Sequence, residues 1–135
     1  MILDLEEIFT VGEETLFRSL SPTSPFGVLF EDDLTTGYFY AIDKQADLDI
    51  LDALHIYNVA DVIDRNKPSK IQIFWTDNGD IVSLLINNYC HAIFDFKNKA
   101  GYCRNAFPES NRDWVQVKNR NLTDSLISTL FKEDE

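Results

Sequence analysis

The sequence predicts an α+β domain: an antiparallel β-meander of about six to seven strands, with a short middle helix and a C-terminal amphipathic helix packed on the sheet. Three observations carry this reading. Aromatic and β-branched runs recur along the chain, separated by Asn, Asp, Gly and Pro. The central run is interrupted by Asn78-Gly79, the strongest short hairpin signal. The last apolar residues, Leu122, Leu126, Ile127, Leu130 and Phe131, recur at helical spacing.

Taken in order, Ser21-Pro22-Thr23-Ser24-Pro25 is a loop, because proline fixes φ and removes backbone donors. Residues 26–30 and 38–42 flank the acidic stretch Glu31-Asp32-Asp33 and Gly37, and read as a hairpin. Ile50, Leu51, Leu54 and His55 fall at helical spacing behind Asp47 and Asp49, whose charges suit a helix N-terminus, so a short helix is expected over 48–56. Residues 71–76 and 81–86 form the Asn78-Gly79 hairpin, with a type I′ turn that pairs Trp75 with Val82, Ile73 with Leu84 and Ile71 with Ile86.

A tight turn at Asn87-Asn88 then pairs His91 with Leu84 and Ile93 with Val82, and leaves both sheet faces apolar. Such a sheet must be covered on both sides, by helices, loops, a second sheet or a partner. Residues 102–107 form a further strand, and 114–117 an edge strand. A helix capped by Asn121 or Thr123 follows, and Lys132 to Glu135 fray.

The length, 135 residues, fits one domain over 1–135 with a core that needs no metal or disulfide. Its hydrophobic fraction of 44% excludes a disordered acidic tail. No apolar run reaches the roughly 20 residues of a membrane span, and the N-terminus lacks the basic residues of a secretory signal, so a cytoplasmic protein is expected. The net charge of −11 argues against nucleic-acid binding and for a basic protein partner, or for solubility alone. That charge is asymmetric. Residues 1–64 carry 14 acids against Arg18 and Lys44, while residues 65–135 are close to neutral.

Motifs for chemistry are sparse. Neither a Gly-x-Ser-x-Gly elbow, a phosphate-binding glycine loop nor a Cys-x-x-Cys or His-Glu-x-x-His pattern occurs, so no enzyme, metal or cofactor is expected. A five-residue loop at 97–101 would put Cys90 and Cys103 on opposite faces as free thiols. His91 and Asp95 on one face suggest an alternative, a small regulatory or ligand-binding module with a cleft beside them. The stronger lead is the set of acids and tyrosines in the first half. Tyrosine beside carboxylate suits a Lys/Arg-rich partner, and the candidate contacts are Glu31, Asp32, Asp33, Tyr38, Tyr40, Asp52, Tyr57 and Asp61.

The chain resembles a small uncharacterised bacterial family, domain of unknown function 2251. The resemblance rests on Ser19-Leu20-Ser21-Pro22 through Phe26-Gly27-Val28, on Glu31-Asp32-Asp33 through Thr36-Gly37-Tyr38-Phe39-Tyr40-Ala41, on the phrase Ile50 to Val59, and on Asn87 through Phe107 with Gly101-Tyr102-Cys103-Arg104. It spans most of residues 11–108 and lends no catalytic residues. By size and charge such proteins are similar to immunity proteins. The expected function is therefore a non-enzymatic acidic inhibitor of a basic, nuclease-like bacterial toxin, acting as a monomer or homodimer.

Overall fold

The computed structural model describes residues 1–46, 49–109 and 113–131. Among them the chain forms nine strands and one α-helix, in the order β1 (Ile2–Phe9), β2 (Thr15–Leu20), β3 (Phe26–Asp32), β4 (Thr36–Asp43), β5 (Asp49–Asn58), β6 (Ser69–Trp75), β7 (Ile81–Ile86), β8 (Tyr89–Asp95), β9 (Ala100–Cys103) and α1 (Asp124–Phe131). Short 3₁₀ turns follow β4 and β5. The strands build two antiparallel sheets, β1-β6-β7-β8-β9 and β2-β3-β4-β5. The fold is thus mostly β, not a single meander with a middle helix.

The middle helix is a strand, and its bulges explain the misreading. Within β5, Asp52 pairs with Ala41 while Ile50 pairs with Ile42, so Leu51 is an extra residue. Likewise Tyr57 pairs with Gly37 and His55 with Tyr38, so Ile56 is extra. The insertion at Leu51 breaks the period of two inside the stretch whose apolar residues fall at helical spacing, and the second, at Ile56, follows it. The expected start of that helix, Asp47 and Leu48, lies outside the described residues, as does the tail Lys132 to Glu135.

The hairpins are closer to expectation. β3 and β4 pair around Asp33, and β6 pairs with β7 in the expected register, Trp75 with Val82 and Ile71 with Ile86. The β6–β7 loop is longer than a two-residue I′ turn: Thr76 N–H donates to Ile81 O, and only Gly79 has a positive φ. A four-residue loop with the same centre preserves the same pairs. The I′ geometry appears instead at Asn87 and Asn88, both with positive φ.

Beyond that turn the register corrects the sequence reading. Leu85 pairs with Cys90, but Leu84 pairs with Ala92 and Val82 with Phe94, so His91 is a bulge residue and does not face Leu84. The bulge turns Cys90 toward α1. Cys103, opposite Ala92, enters the core between the sheets. Both thiols are free, separated by this bulge and not by a five-residue loop. The last strand is Ala100–Cys103, shorter and earlier than residues 102–107, and residues 114–117 form no strand.

The chain is layered as four-stranded sheet, five-stranded sheet and helix. One apolar cluster joins the two sheets, including Val28, Phe30, Phe39 and Leu54 from the first, and Ile73, Trp75, Leu84 and Phe94 from the second. Phe39 stacks on Phe94 across the interface, with centroids 5.2 Å apart. A second cluster lies between the five-stranded sheet and α1, around Ile93, Leu122 and Phe131. Thr123 Oγ1 accepts Leu126 N–H at 3.1 Å and caps the helix, as one of the two expected candidates. The two-sided apolar sheet is therefore covered by the second sheet on one face and the helix on the other. No helix of the described residues is long and apolar enough to cross a membrane.

Candidate functional site

The outward face of the four-stranded sheet holds the residues best placed to meet a partner. The alternation of β4 buries Phe39 in the core and turns Tyr38 and Tyr40 outward. Cross-strand pairing then assembles two rows, Leu16–Glu31–Tyr38–His55 and Arg18–Leu29–Tyr40–Ala53. Tyr38 and Tyr40 stack with centroids 5.9 Å apart and planes at 13°. The Tyr40 hydroxyl donates to Glu31 Oε1 at 3.1 Å. Burial first, and then the Glu31 charge, push the Tyr40 hydroxyl up to about 12, so it stays a donor at neutral pH.

His55 closes the first row. Its ring meets Tyr38 edge-on at 5.4 Å and Phe107 edge-on at 5.7 Å. Phe107 comes from the segment after β9 and is held by its carbonyl, which accepts His55 N–H at 2.8 Å. Phe107 and Leu16 remain more than half exposed, so the face presents aromatic and aliphatic surface around one carboxylate. Phe107, His55 and Leu16 were missed in the sequence. The bulge at Ile56 that places His55 on this face has no local sequence signature.

Three of the sequence candidates are structural. Asp32 is fully buried and accepts Gly12 N–H at 2.8 Å, Leu34 N–H at 2.9 Å and the Tyr57 hydroxyl at 2.6 Å. Gly37 permits this, because a Cβ there would lie 2.6 Å from the Tyr57 ring. Burial, followed by the bond to Asp32, pushes the Tyr57 hydroxyl well up. Asp52 is buried in an ion pair with Arg120, whose guanidinium also donates to Pro108 O at 3.0 Å and Gly101 O at 3.4 Å. Neither carboxylate is available to a partner, and Tyr57 is committed to Asp32. They lock loops and sheets together, a role that charge counting does not reveal.

Asp33 and Asp61 are exposed, at one end of the molecule. Asp33 accepts Thr36 N–H and Thr35 N–H, and these bonds hold its carboxyl below the ordinary value. Asp61 accepts from Asn58 Nδ2 at 3.2 Å. The loops carrying Glu13, Leu34 and Arg65 converge at the same end around an open cleft of about 570 Å³, with Arg65 Nη1 donating to Val59 O at 3.1 Å. These loops hold the acids Glu13, Glu14, Asp33, Asp61 and Asp64 against Arg65 and Lys67, the latter 3.9 Å from Asp64. The tyrosine face itself carries both Glu31 and Arg18, so its own charges are of both signs.

The alternative site at His91 and Asp95 is not assembled. The cleft beside Asp95 is lined by Asn78, Ile81, Lys97 and Leu130, among others, without His91, and Asp95 accepts from Asn98 Nδ2 at 2.8 Å. Among the described residues no three His, Cys, Asp or Glu side chains cluster for a metal. Cys103, Asn105 and His55 do form a chain of contacts. However, the Cys103 thiol is pushed up by burial and donates to Asn105 Oδ1, so nothing activates it as a nucleophile.

A family model described as "Uncharacterized protein conserved in bacteria (DUF2251)" matches residues 9–131. The chain belongs to this family. The matched span of DUF2251 holds every residue of the two outward rows, the loop end and α1, and leaves out most of β1. A protein of Haemophilus influenzae, described as an uncharacterized protein, is 46% identical over 85 residues, covering 62% of this chain and 53% of the relative. The chain thus spans about half the length of that relative. No solved structure matches.

Proposed function

We infer that this chain is a non-enzymatic acidic binding protein that docks a cationic protein on its tyrosine face, in the manner of an immunity protein against a nuclease-like bacterial toxin. The observation that carries the reading is the stacked pair Tyr38–Tyr40 on the open sheet face, with Glu31 bonded to Tyr40. Stacked, half-buried tyrosines are already ordered, so they lose little entropy on binding. Their faces attract Lys or Arg, and Glu31 supplies the counter-charge. The acidic loops at the adjoining end would accelerate encounter with a positive surface, more so at low salt. A nuclease must carry such a surface to attract polyphosphate.

The test is growth rescue and direct binding against the product of a neighbouring toxin-like open reading frame. The double variant Tyr38→Ala/Tyr40→Ala is expected to weaken binding by roughly a hundredfold, through faster dissociation. The triple variant Asp33→Asn/Asp61→Asn/Asp64→Asn is expected to slow association chiefly at low salt. Full rescue by the tyrosine double variant would overturn the assignment of this face.

A further inference from the structure

The hydrogen bonds around His55 run in one direction. Asn105 Oδ1 accepts Phe107 N–H at 3.0 Å and the Cys103 thiol at 3.2 Å, so its amide nitrogen is the end that meets His55 Nδ1, at 2.6 Å. Nδ1 therefore accepts and carries no proton. The proton sits on Nε2, which donates to Asn58 Oδ1 at 2.9 Å, and Asn58 Nδ2 donates onward to Asp61. Every member is satisfied only when the imidazole is neutral. Protonation would set Nδ1–H against the Asn105 amide hydrogens. Turning the Asn105 amide to accept that proton would take Oδ1 away from Phe107 and Cys103.

We propose that Asn105, His55 and Asn58 form a proton-operated latch that fastens Phe107 to the tyrosine face, and that protonation of His55 releases Phe107 and reshapes that face. Its effect on binding rests on the tyrosine face being the docking surface, whereas the latch itself belongs to the free chain. The groups facing the ring are Tyr38 from β4, Asn105 and Phe107 from the segment after β9, and Asn58 at the end of β5. Behind them stand Glu31 beyond Tyr38, Cys103 beyond Asn105 and Asp61 beyond Asn58. Arg120 stands beside Pro108 and Cys103, but its charge is met by Asp52, so acid adds an unpaired positive charge to this cluster.

The experiment is an NMR titration of the full chain from pH 8 to pH 5, with His91→Gln as background so that one histidine reports. The His55 ring protons and the Phe107 amide are expected to move with a common midpoint, and the Phe107 amide to exchange roughly tenfold faster below it. In Asn105→Asp a carboxylate can accept from Nδ1–H while still serving Phe107. The midpoint should therefore rise by about one pH unit or more. Titration of His55 without movement of Phe107, no titration down to pH 5, or an unmoved midpoint in Asn105→Asp would each overturn the latch. Because no arm uses a partner, failure of the tyrosine-face assay leaves these results readable, and the reverse also holds.

Discussion

The ion pair of Asp52 and Arg120 gives the sharpest test of how the two sheets are held together. Both side chains are 3% exposed. Arg120 reaches from the segment before α1 to β5 of the four-stranded sheet, and its other nitrogens bind carbonyls of Gly101 and Pro108. Asp52→Ala would leave a buried guanidinium with two neutral acceptors and no counter-charge. Removing one partner of a buried pair costs about 3–5 kcal/mol, a large share of the roughly 5–15 kcal/mol available to a domain. For 135 residues this corresponds to a Tm lower by about 10–20 °C. Urea unfolding followed by the fluorescence of Trp75, which is fully buried, reads the loss. The double variant Asp52→Ala/Arg120→Met removes both charges and should recover at least about 2 kcal/mol relative to additivity. A single-variant loss below about 1 kcal/mol, or strict additivity, would refute the reasoning. Asp52→Ala should also still bind a partner while folded, which separates its structural role from the contact role suggested by charge alone.

Tyr57→Phe deletes the 2.6 Å bond to buried Asp32 at nearly constant volume, and should lower the urea-derived stability by about 1–3 kcal/mol. Burial, then the charge of Arg104, holds the His91 imidazole down to about 4, below its ordinary 6.5. The unfolded chain thus binds more protons between those values, so this stability is whole above about pH 6.5 and falls by up to about 3 kcal/mol as pH drops toward 4; His91→Gln should flatten that part of the urea midpoint against pH. Burial pushes the Cys90 thiol up to about 11, so iodoacetamide at pH 8 should modify it at least about tenfold more slowly than in urea, by mass spectrometry. Gly79→Ala would drive a Cβ into the Ser21 hydroxyl, 2.6 Å away, at a φ of +76°, and should cost about 1–3 kcal/mol in the same denaturation assay.

The local pairs were legible because they depend on short sequence. β6 with β7, and β3 with β4, follow from alternation around a turn, and the capped helix follows from its apolar spacing. The partition into two sheets was not legible, because β1 and β2 carry weak patterns. β1 alternates poorly and exposes Leu3 and Ile8, since it is an edge strand that gains its place by pairing with β6 some 60 residues on. Bulges did the remaining damage. At Leu51, Ile56 and His91 one inserted residue reverses every face beyond it, and no residue type announces the insertion. The same cause governs the site. Tyr38 and Tyr40 were readable from alternation, whereas His55 meets Tyr38 only through a bulge, and Phe107 meets His55 from a distant loop.

The acidic excess divides into parts with different physics. Asp52 is neutralised by Arg120 and adds little net field, whereas Asp32 is bonded only to neutral donors and keeps its charge, though it is buried away from any direct contact. Glu6 is met by Gln72 and Lys70 on the five-stranded sheet. Glu13 and Leu34 line one cleft, and Asp33 and Asp61 lie in the loops that form it; solvent there leaves the field free to act over about a Debye length, ~8 Å at physiological salt. The tyrosine rows begin one residue inside that end, since Glu31 and Tyr38 adjoin the inward pair of Asp32 and Gly37. The acidic loops and the proposed docking face are therefore neighbours without being the same residues. A partner steered by the loops would arrive beside the rings, and the two contributions should separate in the kinetics: loop acids in the association rate and its salt dependence, tyrosines in the dissociation rate.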